Sequence, residues 1–197
     1  MFSLVGGFFR WLVARDEARI LIVGLDGSGK TTLLEHMKAS CVRGHIPAPP
    51  EAIPATVGMN LFKAAVQGMD VTLWDVGGSA AMRGIWPQYY GEADGLVFVV
   101  DATERARFPE AAAALQRLLE ATAALPLLVL ANKHDLPDAA RASEVEAEVC
   151  APAGLLAGGG GLRPHRVLEV RAQQVADARE ALEWVVKAAT AGALERQ

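Results

Sequence analysis

The chain has 197 residues, 52 % hydrophobic and 21 % charged, enough for one full core and far from a disordered composition. A net charge of −4 supplies no basic field, so no nucleic-acid partner is expected, and the chain is expected to be a monomer. Two cysteines, Cys41 and Cys150, are too few for a disulfide framework and point to a reducing, cytoplasmic compartment.

Residues 1–13 form an apolar run containing Phe2, Phe8, Phe9 and Trp11. No basic stretch precedes it and no small-residue cleavage site follows it, which argues against a secretory signal. It is also too short to span a bilayer, which takes about 20 residues. Two readings stay open: a terminal helix folded onto the domain, or an amphipathic helix that docks on a membrane or a membrane receptor with Arg10 at its rim. Clustered exposed aromatics seldom stay in water, which favours docking. Gly6 and Gly7 weaken a free-standing helix, so it would form on a surface. Residues 1–16 are set apart as this segment, and residues 17–197 as the main domain.

The first apolar run of that domain, residues 19–23, leads into Gly24-Leu25-Asp26-Gly27-Ser28-Gly29-Lys30-Thr31. This is GxxxxGK[ST] in full, placed between a strand and a helix predicted over residues 32–40. Gly24, Gly27 and Gly29 let backbone N–H groups of the loop, with those of Asp26, Ser28 and Thr32, curl around phosphate oxygens at a helix N-terminus. Lys30 supplies a point charge to the β- and γ-phosphates, and Thr31 a hydroxyl to Mg²⁺. A proline-rich loop over residues 41–54 follows, and then Thr56, placed to reach Mg²⁺ and the γ-phosphate.

A second apolar run, residues 71–74, ends in Asp75-Val76-Gly77-Gly78, a D-x-x-G sequence. Asp75 suits the metal through a water, and the Gly78 amide suits the γ-phosphate. Runs at 96–100 and 127–130 read as further buried strands, and residues 108–121 and 178–189 as helices. After the strand at 127 comes Asn132-Lys133-His134-Asp135, the N-K-x-D signature of GTPases. The Asp135 carboxylate can accept from both N1–H and the 2-amino group of guanine, and adenine would leave it unpaired. The Lys133 stem can pack along the base. A loop over 151–164 contains the glycine run at 158–161. Alternating strands and helices give an α/β three-layer fold with a mostly parallel sheet.

Together these residues resemble the Arf family of small GTPases over nearly the whole chain. Trp74-Asp75-Val76-Gly77-Gly78 is similar to the Arf W-D-x-G-G sequence, and Leu25-Asp26, Trp86 and Tyr89-Tyr90 are also Arf-like. The resemblance implies a P-loop GTPase fold with an N-terminal amphipathic helix, GTP or GDP with Mg²⁺, and slow hydrolysis. It implies an exchange factor, a GTPase-activating protein and effectors such as tethering proteins. It further implies an interswitch hairpin that shifts register on GTP binding, an effector-facing triad of Met59, Trp74 and Tyr89, and reversible association with Golgi membranes in vesicle trafficking.

Three positions depart from that family. Phe2 stands where myristoylation needs glycine, and with the long stretch from Lys30 to Thr56 this resembles the Arf-related branch, which docks through a membrane receptor. Ser79 replaces the glutamine that positions the attacking water beside Gly78, so the catalytic pair reads Ser79 and Gly78. The last base-contacting loop, S/C-A-x in the family, is Arg171-Ala172-Gln173; the Ala172 N–H can still meet guanine O6. The alternative is a GTP-locked binding module with negligible hydrolysis. A P-loop kinase is disfavoured, because N-K-x-D specifies guanine and no acceptor site is evident.

Overall fold

The computed structural model describes residues 17–122, 125–155 and 163–194. Residues 1–16, expected to dock on a membrane or receptor, and the glycine run at 158–161 lie outside them. Six strands form one sheet, in order of position β2-β3-β1-β4-β5-β6. They are β1 (Glu17–Val23), β2 (Met59–Val66), β3 (Met69–Val76), β4 (Gly95–Asp101), β5 (Leu127–Asn132) and β6 (His165–Glu169). All neighbours run parallel except β2 and β3, which pair antiparallel from Met59↔Val76 to Val66↔Met69. The two-residue turn between them uses Gln67 and Gly68, both at positive φ, which matches the twist of a hairpin.

The four inner strands alternate their side chains into two apolar layers. Leu21, Val23, Phe98, Val100 and Val129 face α4 (Phe108–Ala121) and the short α5 (Ala142–Val145), which continues as a π-turn over Glu146–Cys150. Ile20, Ile22, Leu73, Val97 and Leu130 face α1 (Lys30–Cys41) and α6 (Val175–Leu194). A sheet covered on both faces needs nearly continuous apolar strands, as β4 and β5 are up to their last residues, Asp101 and Asn132, and both are buried throughout. The three-layer α/β fold is therefore as expected, and the hairpin that only the resemblance implied is present. Two one-turn helices, α2 (Ala80–Arg83) and α3 (Pro87–Tyr90), follow β3. Among the described residues no helix is long and apolar enough to cross a membrane.

Parallel strands put their C-terminal ends on one edge. The loops after β1, β3, β5 and β6 meet there, where an open α/β sheet takes its ligand.

Candidate nucleotide site

The loop after β1 turns on glycines. Gly24 has φ +145° and lies so near β4 that a Cβ would come within 2.2 Å of Val99 O; Gly29 has φ +92° and a Cβ there would meet Asn132 Nδ2 at 2.3 Å. Neither position tolerates a side chain, in conformation or in space. Gly29 is also the N-cap of α1, which has no side-chain cap and no acidic residue in its first turn. Its leading N–H groups and positive dipole end are left for an external anion.

Lys30 is buried, and its Nζ donates to Leu25 O at 2.7 Å across the loop. Burial pushes its pKa down to about 8, with the Asp75 carboxylate pulling the other way. A partly desolvated ammonium in a loop of N–H donors fits a polyphosphate.

Next to it, three loops meet at oxygen atoms. Thr31 Oγ1 donates to Asp75 Oδ2 at 2.7 Å and lies 2.8 Å from Thr56 Oγ1, so Thr56 donates to Thr31. Asn60, opposite Asp75 in the β2–β3 register, donates to the same Oδ2 at 3.1 Å. The other Asp75 oxygen, Oδ1, is buried without a partner. Two hydroxyls and a carboxylate with a vacant lone pair make a hard-oxygen donor set of the kind Mg²⁺ takes, with phosphate and water completing its shell. Among the described residues no group of three His, Cys, Asp or Glu is placed to hold a metal.

The cleft encloses about 410 Å³ and is lined by Asp26, Gly27, Gly29, Lys30, Thr31, Thr32, Thr56, Gly78, Ser79, Asn132, Lys133, Asp135 and Ala172 among others. Thus the proposed base residues and the phosphate loop, about a hundred residues apart in sequence, share one cavity. Asn132 is the strut: its Nδ2 donates to Ser28 O at 2.7 Å and its Oδ1 accepts from Ala172 N at 2.9 Å. The Ala172 N–H expected to face the base is therefore turned onto Asn132 here. Lys133 has φ +66° and its ammonium pairs with Asp101 at the end of β4.

Gly78 is seated against the phosphate loop, where a Cβ would lie 2.3 Å from Gly24 O. The Ser79 hydroxyl, by contrast, turns into its own helix as the N-cap of α2, accepting from Met82 N at 3.3 Å. Of the expected triad, the Tyr89 and Trp74 rings lie 5.8 Å apart, and Met59 packs against the same apolar layer. Trp74 itself is only 8 % exposed, so Met59 and Tyr89 carry the accessible surface.

Sequence reasoning did not single out Asn60, which orients Asp75, or Arg107, which grips Asp26 with a 2.8 Å ion pair. It also passed over Glu169, whose carboxylate meets His134 Nε2 at 2.9 Å and ties the two base loops together. Asn60 was detectable once the hairpin register was assumed. The other two pairs join distant segments and leave no local pattern.

The sequence model of the ADP-ribosylation factor family matches residues 6–189. The chain belongs to the ADP-ribosylation factor family. ADP-ribosylation factor-related protein 1 of Bos taurus is 31 % identical over 189 residues, 95 % of this chain and 92 % of the bovine one. The human protein of that name is 36 % identical over 138 residues, 69 % of each. Among solved structures, the Arl6 BBS3 small GTPase of Trypanosoma brucei with the bound nucleotide analogue GppNp superposes with a TM-score of 0.74. It is 25 % identical and covers 89 % of this chain and 99 % of its own. The mammalian SRP receptor, at 22 % identity and a TM-score of 0.70 over 85 % of this chain and 99 % of its own, shares the fold. The protein is thus an Arf-family small GTPase of the Arf-related branch, a GTP-binding enzyme that uses GTP or GDP with Mg²⁺.

Proposed function

We propose that this GTPase is a switch that recruits effectors, tethering proteins among them, to Golgi-type membranes in vesicle trafficking, set by an exchange factor and a GTPase-activating protein. The observation that carries the switch reading is the Thr56–Thr31–Asp75 chain of hydrogen bonds. It joins the segment before β2, the phosphate loop and the end of β3, so whatever occupies the cleft acts on all three at once. In this reading the Gly24–Lys30 loop cradles the phosphates, Thr31 and Thr56 hold Mg²⁺ directly and Asp75 holds it through water. Bound Mg²⁺ supplies positive charge to the terminal phosphates. Gly78 offers its N–H to the γ-phosphate, Asp135 reads the guanine edge and Lys133 lies along the base. Residues 1–16 dock on a membrane or membrane receptor; the aromatic, apolar composition of that segment supports this. It also joins β1 at Glu17, opposite Asp70 beside the hairpin turn, close to the element expected to shift.

A second reading, a GTP-locked module, has one specific observation in its favour. The Ser79 hydroxyl is spent on a helix cap, and serine has no amide with which to orient water.

Calorimetry with Mg²⁺ should show GDP and GTP binding and ATP failing to compete. Asp135→Asn should weaken guanine nucleotides and favour xanthine ones, whose altered edge presents an acceptor to the new amide. Equal competition by ATP would overturn the base assignment. Sedimentation with Golgi-like vesicles should depend on GTP and on residues 1–13; undiminished sedimentation of the shortened chain would place the docking element elsewhere.

A further inference from the structure

Gly78 and the phosphate loop touch directly, since a Cβ on Gly78 would lie 2.6 Å from the Asp26 amide nitrogen. A second connection between the same two segments runs through α4. Arg83 ends α2, and its Nη2 donates to Glu110 Oε1 at 2.8 Å. The other Glu110 oxygen accepts from Arg107 Nε at 3.0 Å. Arg107 then forks onto Asp26, with Nη2 to Oδ1 at 2.8 Å and Nη1 to the backbone oxygen at 3.0 Å. Backbone packing on one side and charges on the other close a ring around the segment from Gly78 to Arg83.

We propose that Glu110 is the centre of a charge relay, Arg83–Glu110–Arg107–Asp26, that holds the phosphate loop in its binding shape and loosens it when α2 moves. The proposal rests on the switch reading above and adds positioning residues to it. A lone exposed ion pair contributes little. Here one carboxylate is shared by two guanidiniums, so fixing it serves two contacts. Arg107 in turn fixes both a side chain and a backbone carbonyl, which the planar fork of arginine does and a lysine does not. The electrostatics agree with this order. The hydrogen bond from Arg107 holds Asp26 below the usual carboxylate range, and those from Arg83 and then Arg107 do the same to Glu110. Asp26 lies between Leu25, whose oxygen holds Lys30, and Gly27, so a fixed Asp26 carbonyl restrains the loop that a departing nucleotide must open. When α2 shifts, Arg83 leaves Glu110, the Arg107 guanidinium gains freedom, and its grip on Asp26 weakens.

The test is release of a fluorescent GDP from the full-length chain with Mg²⁺, for wild type, Arg83→Gln, Glu110→Gln, Glu110→Asp, Arg107→Lys and the Arg83→Gln/Glu110→Gln double variant. Each single variant should release nucleotide about fivefold faster, the size expected for a coupled surface network. Glu110→Asp keeps the charge but is too short to bridge both arginines, so it should behave like Glu110→Gln. The double variant should be no faster than Glu110→Gln alone, because the hydrogen bond of Arg83 to this network is made to that carboxylate. Single variants that release at the wild-type rate, or effects that multiply in the double variant, overturn the relay while leaving the switch reading intact. A wild-type chain that fails to retain labelled GDP overturns that reading and the relay with it.

Discussion

Lys30 is the residue whose ionisation the fold alters most usefully. Its folded pKa is about 8 against an ordinary value near 10.5. Below about pH 8 the cost of burying the ammonium is fully present. Between about 8 and 10.5 the unfolded chain binds more protons, so this group's contribution to ligand-free stability rises with pH. A polyphosphate favours the charged form, which gives the opposite trend for binding. Affinity for GDP should therefore fall severalfold between about pH 7.5 and 8.5; calorimetry at fixed Mg²⁺ gives the profile, and a flat one would refute the assignment. Ser79 carries the other residue-scale prediction. Intrinsic hydrolysis in small GTPases is on the order of 10⁻⁴ to 10⁻³ s⁻¹ with glutamine present, and orienting the water is a large part of what that side chain does. The rate here should lie at or below that range, and Ser79→Gln should raise it in single-turnover assays. Equal rates would remove the main support for the locked module. The substitution also removes the α2 cap, at about 1 kcal/mol, so nucleotide release must be followed separately.

At the scale of elements, the pieces that the switch reading requires to move are held by contacts a single atom can break. Gly77 N donates to Gly58 O at 3.0 Å, Gly58 N meets Met82 Sδ at 3.3 Å, and Trp86 Nε1 donates to Gly77 O at 3.0 Å. The start of β2, the end of β3 and α2 are therefore one packed unit with Trp74 and Trp86 beneath it. Exchange of GDP for a non-hydrolysable GTP analogue should change tryptophan fluorescence. Gly78→Ala should suppress that change, since its Cβ has no room against Gly24 O and the loop cannot seat; a normal fluorescence response from this variant would show that close seating is unnecessary. The same elements show where sequence reading ends. β1, β3, β4 and β5 were legible because each carries a short, mostly apolar run that the two layers bury. β2 and β6 are edge strands with mixed exposure, so Asn60, Lys63, His165 and Arg166 break the apolar run without breaking the strand. The turns at α2, α3 and α5 are too short to show a period. Val145 and Val149, both buried, stand at helical spacing and were the one available hint of the helix at 142–150.

For the whole molecule, the phosphate, metal and base motifs were legible because each sits at a strand end and must use particular residue types. What binds them to one another was not, since ties such as Ser28–Asn132 and Asp26–Arg107 join residues about eighty to a hundred apart and exist only once the sheet is assembled. Asn132 is the plainest case. One amide holds the phosphate loop through Ser28 O and the base loop through Ala172 N, so the halves of the cleft that receive different halves of a nucleotide are mechanically joined. A group filling either half should therefore act on the other through this side chain. Guanosine and pyrophosphate, offered as separate molecules, should consequently bind with positive cooperativity, each raising the other's affinity by the same factor. Calorimetric titration of pyrophosphate with and without saturating guanosine measures that factor, and a value of one in the wild type would show that the halves act independently. Asn132→Ala should bring it to one. The ribose that joins base to phosphates in the ligand thus has a counterpart in the protein, a single asparagine through which fragments that are not bonded to each other should still cooperate.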